Sequence, residues 1–486
     1  MTPSHDHKRI IVIGAGITGL AAANRLTELA TQRSLPIDVT LLEATDRVGG
    51  VIETQRIDDF LVEFGPDNFI TNKPAGVNLC KRLGLEGELL RTNDEHRRAL
   101  VVRKGRLVPI PEGFELMAPR NMWAMARSPI FSLAAKFRMW REQFIKGRAW
   151  NEDDDESLTS FVTRRFGRQA LERLVQPLIA GIYVADPDTL SVRATVPRFI
   201  EMERSHGSII RAMKAQKKAK ATAGVEKDSG ARYSLFMALR QGMSVLPRTL
   251  AAKLGDRLKL NAPVTGLSRL LPDSPRWRVS LANGSAMDAD SVIVAVPSYV
   301  AAGWLRPTDD TLAAQLDTIE YASSAIVVMA LRSDQVRHPT NGFGFVVPSI
   351  ERRSIIAGSF VHRKYAGRVP EGHVLLRAFI GGALQPELMS KSDEELISIA
   401  RQELGDLLGL TGDPSFVRVQ RWDRSMPQYK VGHLSRVKAI RQRTVAHPGL
   451  ELAGNAFEGV GIPDCIASAE AAAERVVDSS SNSRNT

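Results

Sequence analysis

Gly14, Gly16 and Gly19 stand at the spacing with which a chain can wrap a pyrophosphate. The first permits a tight turn, the second lets phosphate oxygens reach the backbone, and the third lets a helix pack close to the preceding strand. Ala15, Ile17 and Thr18 complete the turn. Its flanks give the triplet a context. Arg9-Ile-Ile-Val-Ile13 is short, apolar and β-branched, as a buried parallel strand requires. Leu20-Ala-Ala-Ala-Asn-Arg-Leu26 is a strong helix former. A helix starting there aims unpaired N–H groups and a positive dipole end at the phosphates. A second strand, Asp38-Val-Thr-Leu-Leu42, ends at Glu43, about 20 residues past the last glycine. A carboxylate in that place takes both ribose hydroxyls of an adenosine and disfavours a 2′-phosphate. The pattern predicts a dinucleotide site.

Other residues extend it. Arg47 follows the second strand and is placed to neutralise a pyrophosphate, while Gly49-Gly50 lets backbone lie against a flat ligand. Near the other end, Gly449-Leu-Glu-Leu-Ala453-Gly454-Asn455 reads as a strand ending at glycine. It leads through Glu458-Gly-Val460-Gly461-Ile462-Pro-Asp464 into a helix expected over 465–477, whose N-terminus suits an anion-like acceptor. Leu258 to Val264 and Asp290 to Val296 read as two more strands returning to the same sheet. Arg98, within Arg97-Arg98-Ala-Leu-Val-Val-Arg103, offers a fork that grips a carboxylate bidentately. On its own that stretch reads more readily as a solvated strand edge.

The segment from Arg47 to Thr54 resembles the signature of the amine-oxidase-like FAD flavoproteins, and Val62-Glu-Phe-Gly65-Pro66-Asp67-Asn68 is similar to their second flavin-contacting turn. Further runs narrow the likeness: Arg173 to Tyr183, Asp186 to Ser191, Arg240 to Pro247, Pro427-Gln428-Tyr429-x-x-Gly432-His433, and Glu458-Gly-Val with Asp464-Cys-Ile. Together, from residue 9 to about 478, they resemble the protoporphyrinogen and coproporphyrinogen oxidases of haem synthesis. The resemblance implies FAD, held additionally by Ala44, Val51, Val264, Trp422, Gly454, Val460, Gly461 and Ile462. It implies a macrocycle slot lined by Leu178, Gly181, Phe343 and Val346, where Val346 replaces an expected leucine, and a propionate held by Arg98. It also implies an oxidase that removes six electrons in three flavin cycles, with O2 as acceptor and hydrogen peroxide as by-product. No side chain stands out as an acid or base. Whether the substrate carries two propionates or four stays open; Arg97, Arg103 and Arg106 suit the latter. An amine oxidase or a carotenoid desaturase is the alternative within the class, and a non-catalytic carrier of lipidated GTPases a third reading of the same fold.

A chain of 486 residues needs several cores. The expectation is an α/β (α+β overall) protein. Its discontinuous Rossmann-like FAD domain would comprise 8–75, 231–300 and 445–478, and a mixed-sheet substrate domain 76–111 and 301–444. The stretch 112–230 reads mostly as helix, and 479–486 as a disordered tail. Residues 117–144 mix Met, Trp, Phe and Leu with Arg and Lys, and the resemblance makes this a membrane-associating region. An amphipathic helix packed on its own core is the equal alternative. Asn151 to Glu156 would supply the start of a helix, and the lysines from Lys214 to Lys220 lead into a Gly/Ala-rich loop ending at Gly230. The net charge of +11 suits an anionic substrate or lipid surface, and no nucleic-acid motif is present. Two cysteines, Cys80 and Cys465, stand far apart and in no metal-ligand spacing, so the expectation is a cytoplasmic protein without a disulfide framework or metal, and the resemblance adds the inner face of the cell membrane as an alternative place for it. A homodimer and hand-off of product to a ferrochelatase complete the partners expected.

Overall fold

The structure is a computed structural model and describes residues 7–119, 121–222, 235–270 and 276–482. Five strands from distant stretches form one wholly parallel sheet. In spatial order they are Leu258–Lys259, Ile37–Leu42, Lys8–Ile13, Ser291–Val294 and Leu450–Leu452. The inner strands are apolar along their length because both faces are covered. Ile10 and Val12 face a core shared by the helices Ile17–Gln32 and Ile462–Asn482. Ile11 and Ile13 face the opposite core, with the helices Ser298–Leu305 and Asp310–Asp317. Small residues such as Ala22, Ala23, Ala469, Ala472 and Ala473 let the first and last helices pack closely on the sheet.

A second sheet has seven strands in the order Phe416–Pro427, Tyr321–Arg332, His373–Gly381, Ile355–Phe360, Gly344–Val346, Ala99–Arg103 and Arg106–Pro109. It is antiparallel except where Gly344–Val346 runs parallel to Ala99–Arg103. The helix Ala75–Arg82 and strand Leu89–Arg91 pack on the core that holds the first helix.

Several element boundaries differ from expectation. Leu258 to Val264 is not one strand. Asn261 adopts φ +52° and donates its N–H to Thr45 O, so the chain turns around Glu43 and a new strand, Val264–Arg269, begins. The last helix starts three residues earlier than expected, at Ile462, and runs to Asn482, so Ser479 to Asn482 are helical, with the Ser479 hydroxyl donating to Val476 O. Residues 483–486, and the loop expected over 223–230, lie outside the described residues. The stretch expected to be mostly helix also holds a small hairpin, Phe114–Glu115 with Ala118–Pro119. Its next helices are short, Met122–Arg127 and Leu133–Trp140, each begun by a side-chain cap, Asn121 and Ser132. The acidic run behaves as expected only in part. Ser157 caps the helix Leu158–Phe166, whereas Asp155 accepts from Gly432 N and from the Ser191 hydroxyl.

Candidate functional site

The first turn has the shape its glycines require. Gly14 sits at φ +97°, and a Cβ there would lie 2.7 Å from Ala295 O. A Cβ on Gly19 would lie 1.8 Å from Gly14 O. Gly16 is different: nothing stands within 4 Å of where its Cβ would be, so its face opens on free space beside the helix N-terminus. That opening is the cradle a pyrophosphate needs. Glu43 lies beneath the turn. One carboxylate oxygen accepts from Ala15 N at 2.7 Å and the other from Thr45 N and its hydroxyl, which leaves further lone pairs for a ribose. Ala262 N donates to Glu43 O and Glu43 N to Lys259 O, so Val264 follows at the same edge.

Residues 47–51 cross over this turn. Gly49 N donates to Ala15 O at 2.8 Å, and Gly50 lies against the Cα of Gly16. Arg47 does not reach out alone: its guanidinium donates to Gly50 O at 2.7 Å and pairs with Glu53 at 3.4 Å, clasping the glycine pair. Ala44 is exposed on the approach to that crossing. A Cβ on Gly65 would fall 1.7 Å from Val51 O, so the second turn packs backbone to backbone on the first.

That second turn is held from the seven-stranded sheet. The Trp422 indole donates to Phe64 O at 2.7 Å, and Arg377 donates to Gly65 O. Asp67 pairs with Lys364 at 2.8 Å and lies 3.5 Å from Arg377, while Asn68 donates to Asp67. Burial alone would raise the Asp67 carboxyl, but Lys364 and Arg377 outweigh it and hold the group at about 2, so it stays ionised. Two residues before Gly65, Glu63 and Arg368 form a buried pair at 2.5 Å; the Thr54 hydroxyl and Met243 N also donate to Glu63. Sequence reading missed Lys364, Arg368 and Arg377, because partners roughly 300 residues apart leave no local signal.

The two ends of the chain meet. Gly454, at φ +129°, lies against Thr18, whose hydroxyl would stand 3.8 Å from an added Cβ. Gly454 N donates to the Ser468 hydroxyl, and Lys73 pairs with Asp464 at 2.6 Å beside the start of the last helix. The first glycine turn and the strand end at Gly454 are therefore neighbours. Val460, Leu178 and Val346 are partly buried and pack against one and the same apolar cluster. Gly181 lies beside Val346, an added Cβ standing 3.7 Å from that side chain. At the other end of Val346's strand, Phe343 N donates to Arg98 O at 2.9 Å. The Arg98 side chain is exposed and makes no ion pair or hydrogen bond among the described residues. Val101 belongs to the same apolar cluster, and strand alternation puts Arg103 on its face.

These residues fit FAD: open space at Gly16, a carboxylate at the ribose position, two glycine-lined turns laid backbone to backbone, and a helix N-terminus after Gly461. No cluster of metal-ligating side chains occurs among the described residues.

Comparison with known proteins gives the same answer. Residues 17–477 match the family model of flavin containing amine oxidoreductases. The chain is 34% identical to a coproporphyrinogen III oxidase of Bacillus subtilis, covering 96% of this chain and 98% of that one. It is 29% identical to a chloroplastic protoporphyrinogen oxidase of Nicotiana tabacum, over 96% and 85%. A crystal structure from Exiguobacterium sp. 255-15, assigned as a protoporphyrinogen oxidase, superposes with a TM-score of 0.84 at 30% identity, covering 96% and 98%. The chain therefore belongs to the flavin-containing amine oxidoreductases, within them to the group of coproporphyrinogen III and protoporphyrinogen oxidases, and its cofactor is FAD.

Proposed function

We propose that this protein oxidises a porphyrinogen to the porphyrin, and that coproporphyrinogen III is the substrate. The observation that supports the reading is that Leu178, Val346 and Val460 pack against one apolar cluster, with exposed Arg98 along the strand pair that holds Val346. A porphyrinogen matches it, being a wide apolar ring with anionic propionates. Arg103 on the Val101 face adds a second cation for a substrate with four propionates. The identities of 34% and 31% to two coproporphyrinogen III oxidases, against 29% to the tobacco protein, favour the same choice. When bound, FAD supplies a two-electron acceptor used three times for the six electrons, which O2 restores with release of hydrogen peroxide. The protein orients the ring through Arg98, excludes water with Leu178 and Val346, and aims N–H groups of the last helix at the cofactor. Incubation with each porphyrinogen, followed by porphyrin fluorescence, tests this. Faster production from coproporphyrinogen than from protoporphyrinogen is expected; rates equal to autoxidation for both would overturn the reading.

Arg98→Ala is expected to raise KM for the porphyrinogen by roughly tenfold, the size of a lost charge-assisted contact, with kcat little changed. Initial-rate measurements decide it, and an unaltered KM removes Arg98 from the site.

We further propose that the protein docks on an anionic membrane surface. The helix Leu133–Trp140 is two-faced: Ala135 and Met139 are buried, whereas Leu133 (82% exposed), Phe137 and Trp140 project outward, and Phe144 (66% exposed) continues the patch. Exposed Arg127, Arg141 and Lys146 flank it. Glu142, wholly buried and paired with Arg165, pins the turn between Trp140 and Phe144. No helix among the described residues is long and apolar enough to cross a membrane, so an in-plane contact fits the patch. Replacing Phe137 and Phe144 by Ser is expected to weaken binding to phosphatidylglycerol vesicles by roughly tenfold or more, from lost apolar burial, without altering turnover in detergent. Sedimentation equal to wild type would refute the contact.

A further inference from the structure

The run Pro427–His433 is buried more deeply than a link between a strand and a helix needs. Tyr429 is 1% and His433 0% exposed. The Tyr429 hydroxyl donates to Asn455 O at 2.5 Å and accepts from Gly459 N at 2.8 Å, bracketing the segment that ends at Val460. The His433 ring stacks on Tyr429, with centroids 4.0 Å apart and planes 14° from parallel, and its Nε2 meets Phe457 O at 2.8 Å. A carbonyl only accepts, so Nε2 carries the proton, and burial lowers the imidazole to about 4, which keeps it neutral. Two rings thus satisfy three backbone groups of a segment that has no regular structure of its own. Gly459 cannot assist through a side chain, since a Cβ there would lie 2.4 Å from the Asp464 carboxyl.

The same run also grips the slot side. The Gln428 amide donates to Tyr183 O at 3.3 Å, at the end of the helix Gln176–Tyr183 that carries Leu178 and Gly181. Ser191 N donates to Tyr429 O at 2.8 Å, and Val431 N to Thr189 O. One short stretch therefore touches both the flavin turn and the slot helix.

We propose that Tyr429 and His433 are positioning residues that set where Val460, Gly461 and Ile462 stand toward FAD, and that with Gln428 they keep this turn in register with the slot. The flavin half stands on the dinucleotide site alone; the slot half rests on the porphyrinogen reading. Tyr429→Phe keeps the ring and removes both hydroxyl contacts. Titrating the apoprotein with FAD is expected to show roughly tenfold weaker binding, the effect of two lost hydrogen bonds. The visible spectrum and reduction potential of the bound flavin shift with it, and kcat falls more than KM rises. His433→Leu does the same, whereas His433→Gln, which still offers an N–H to Phe457 O, stays near wild type. Wild-type FAD affinity, spectrum and potential in Tyr429→Phe, with only a lower unfolding temperature, would reduce the run to scaffolding. Where Tyr429→Phe does not fold, the two His433 variants decide, and identical flavin properties for both overturn the proposal. A wild-type protein that binds FAD tightly yet turns over no porphyrinogen would end the substrate reading and leave the flavin measurements to judge this one.

Discussion

Gly16→Val is expected to give a folded protein that lacks flavin, while Gly19→Val gives no folded protein. The two glycines are three residues apart in one turn, but their surroundings are opposite. A Cβ on Gly16 meets nothing within 4 Å, so a valine there projects into the space a pyrophosphate needs and disturbs no packing. A Cβ on Gly19 falls 1.8 Å from Gly14 O, in a turn whose other side is closed by Ala295. Backbone at that distance cannot give way, and the first helix would have to leave the sheet. Losing two charge-assisted contacts to the pyrophosphate is worth about 3 kcal/mol, roughly a hundredfold in FAD affinity. Expression yield, circular dichroism and the flavin absorbance of the purified variants separate the two cases. A yellow Gly16→Val protein with native affinity would move the cofactor elsewhere.

Arg368→Met is expected to destabilise the holoprotein by about 3–5 kcal/mol, because it leaves the Glu63 carboxylate buried and unpaired. Arg368 is fully buried and Glu63 2% exposed, and their pair bridges the seven-stranded sheet side to the strand Phe60–Glu63 just before the second flavin turn. The second guanidinium nitrogen donates to Leu239 O, so the variant also frees a carbonyl. The temperature at which flavin fluorescence appears reports the loss. Adding Glu63→Gln should restore part of it, since a neutral amide still takes the bond from Met243 N and bonds Thr54. A double variant less stable than Arg368→Met alone would contradict the charge argument.

What the sequence revealed and what it hid follow from range. The glycine turn, Glu43 and the buried strands Lys8–Ile13 and Ser291–Val294 are legible because strand, turn and helix chemistry acts between near neighbours. Two of the returning strands were readable too: Ser291–Val294 is an apolar run shortly before Pro297, and Leu450–Leu452 follows Gly449. Charged residues give no such signal. Glu142, Arg165 and Glu203 look like solvated positions in the sequence, yet all three are buried and bonded to one another in the helical region. The mixed character of residues 117–144 also has a physical basis: Met117, Met125 and Met139 pack inward while Trp123, Phe137 and Trp140 face out. Glu43 and Asn261 show the limit at a boundary, where a pattern that looks like one strand is broken by a single residue in the left-handed region.

The central claim is that one flavin, reached from both ends of the chain, stands beside the slot holding the porphyrinogen. Mixing the oxidised holoprotein with coproporphyrinogen III in the absence of oxygen, while recording the flavin absorption band, tests it in a single turnover. The account predicts that the band bleaches, and that porphyrin fluorescence follows once oxygen is admitted. A band that stays oxidised in the presence of excess porphyrinogen would contradict it.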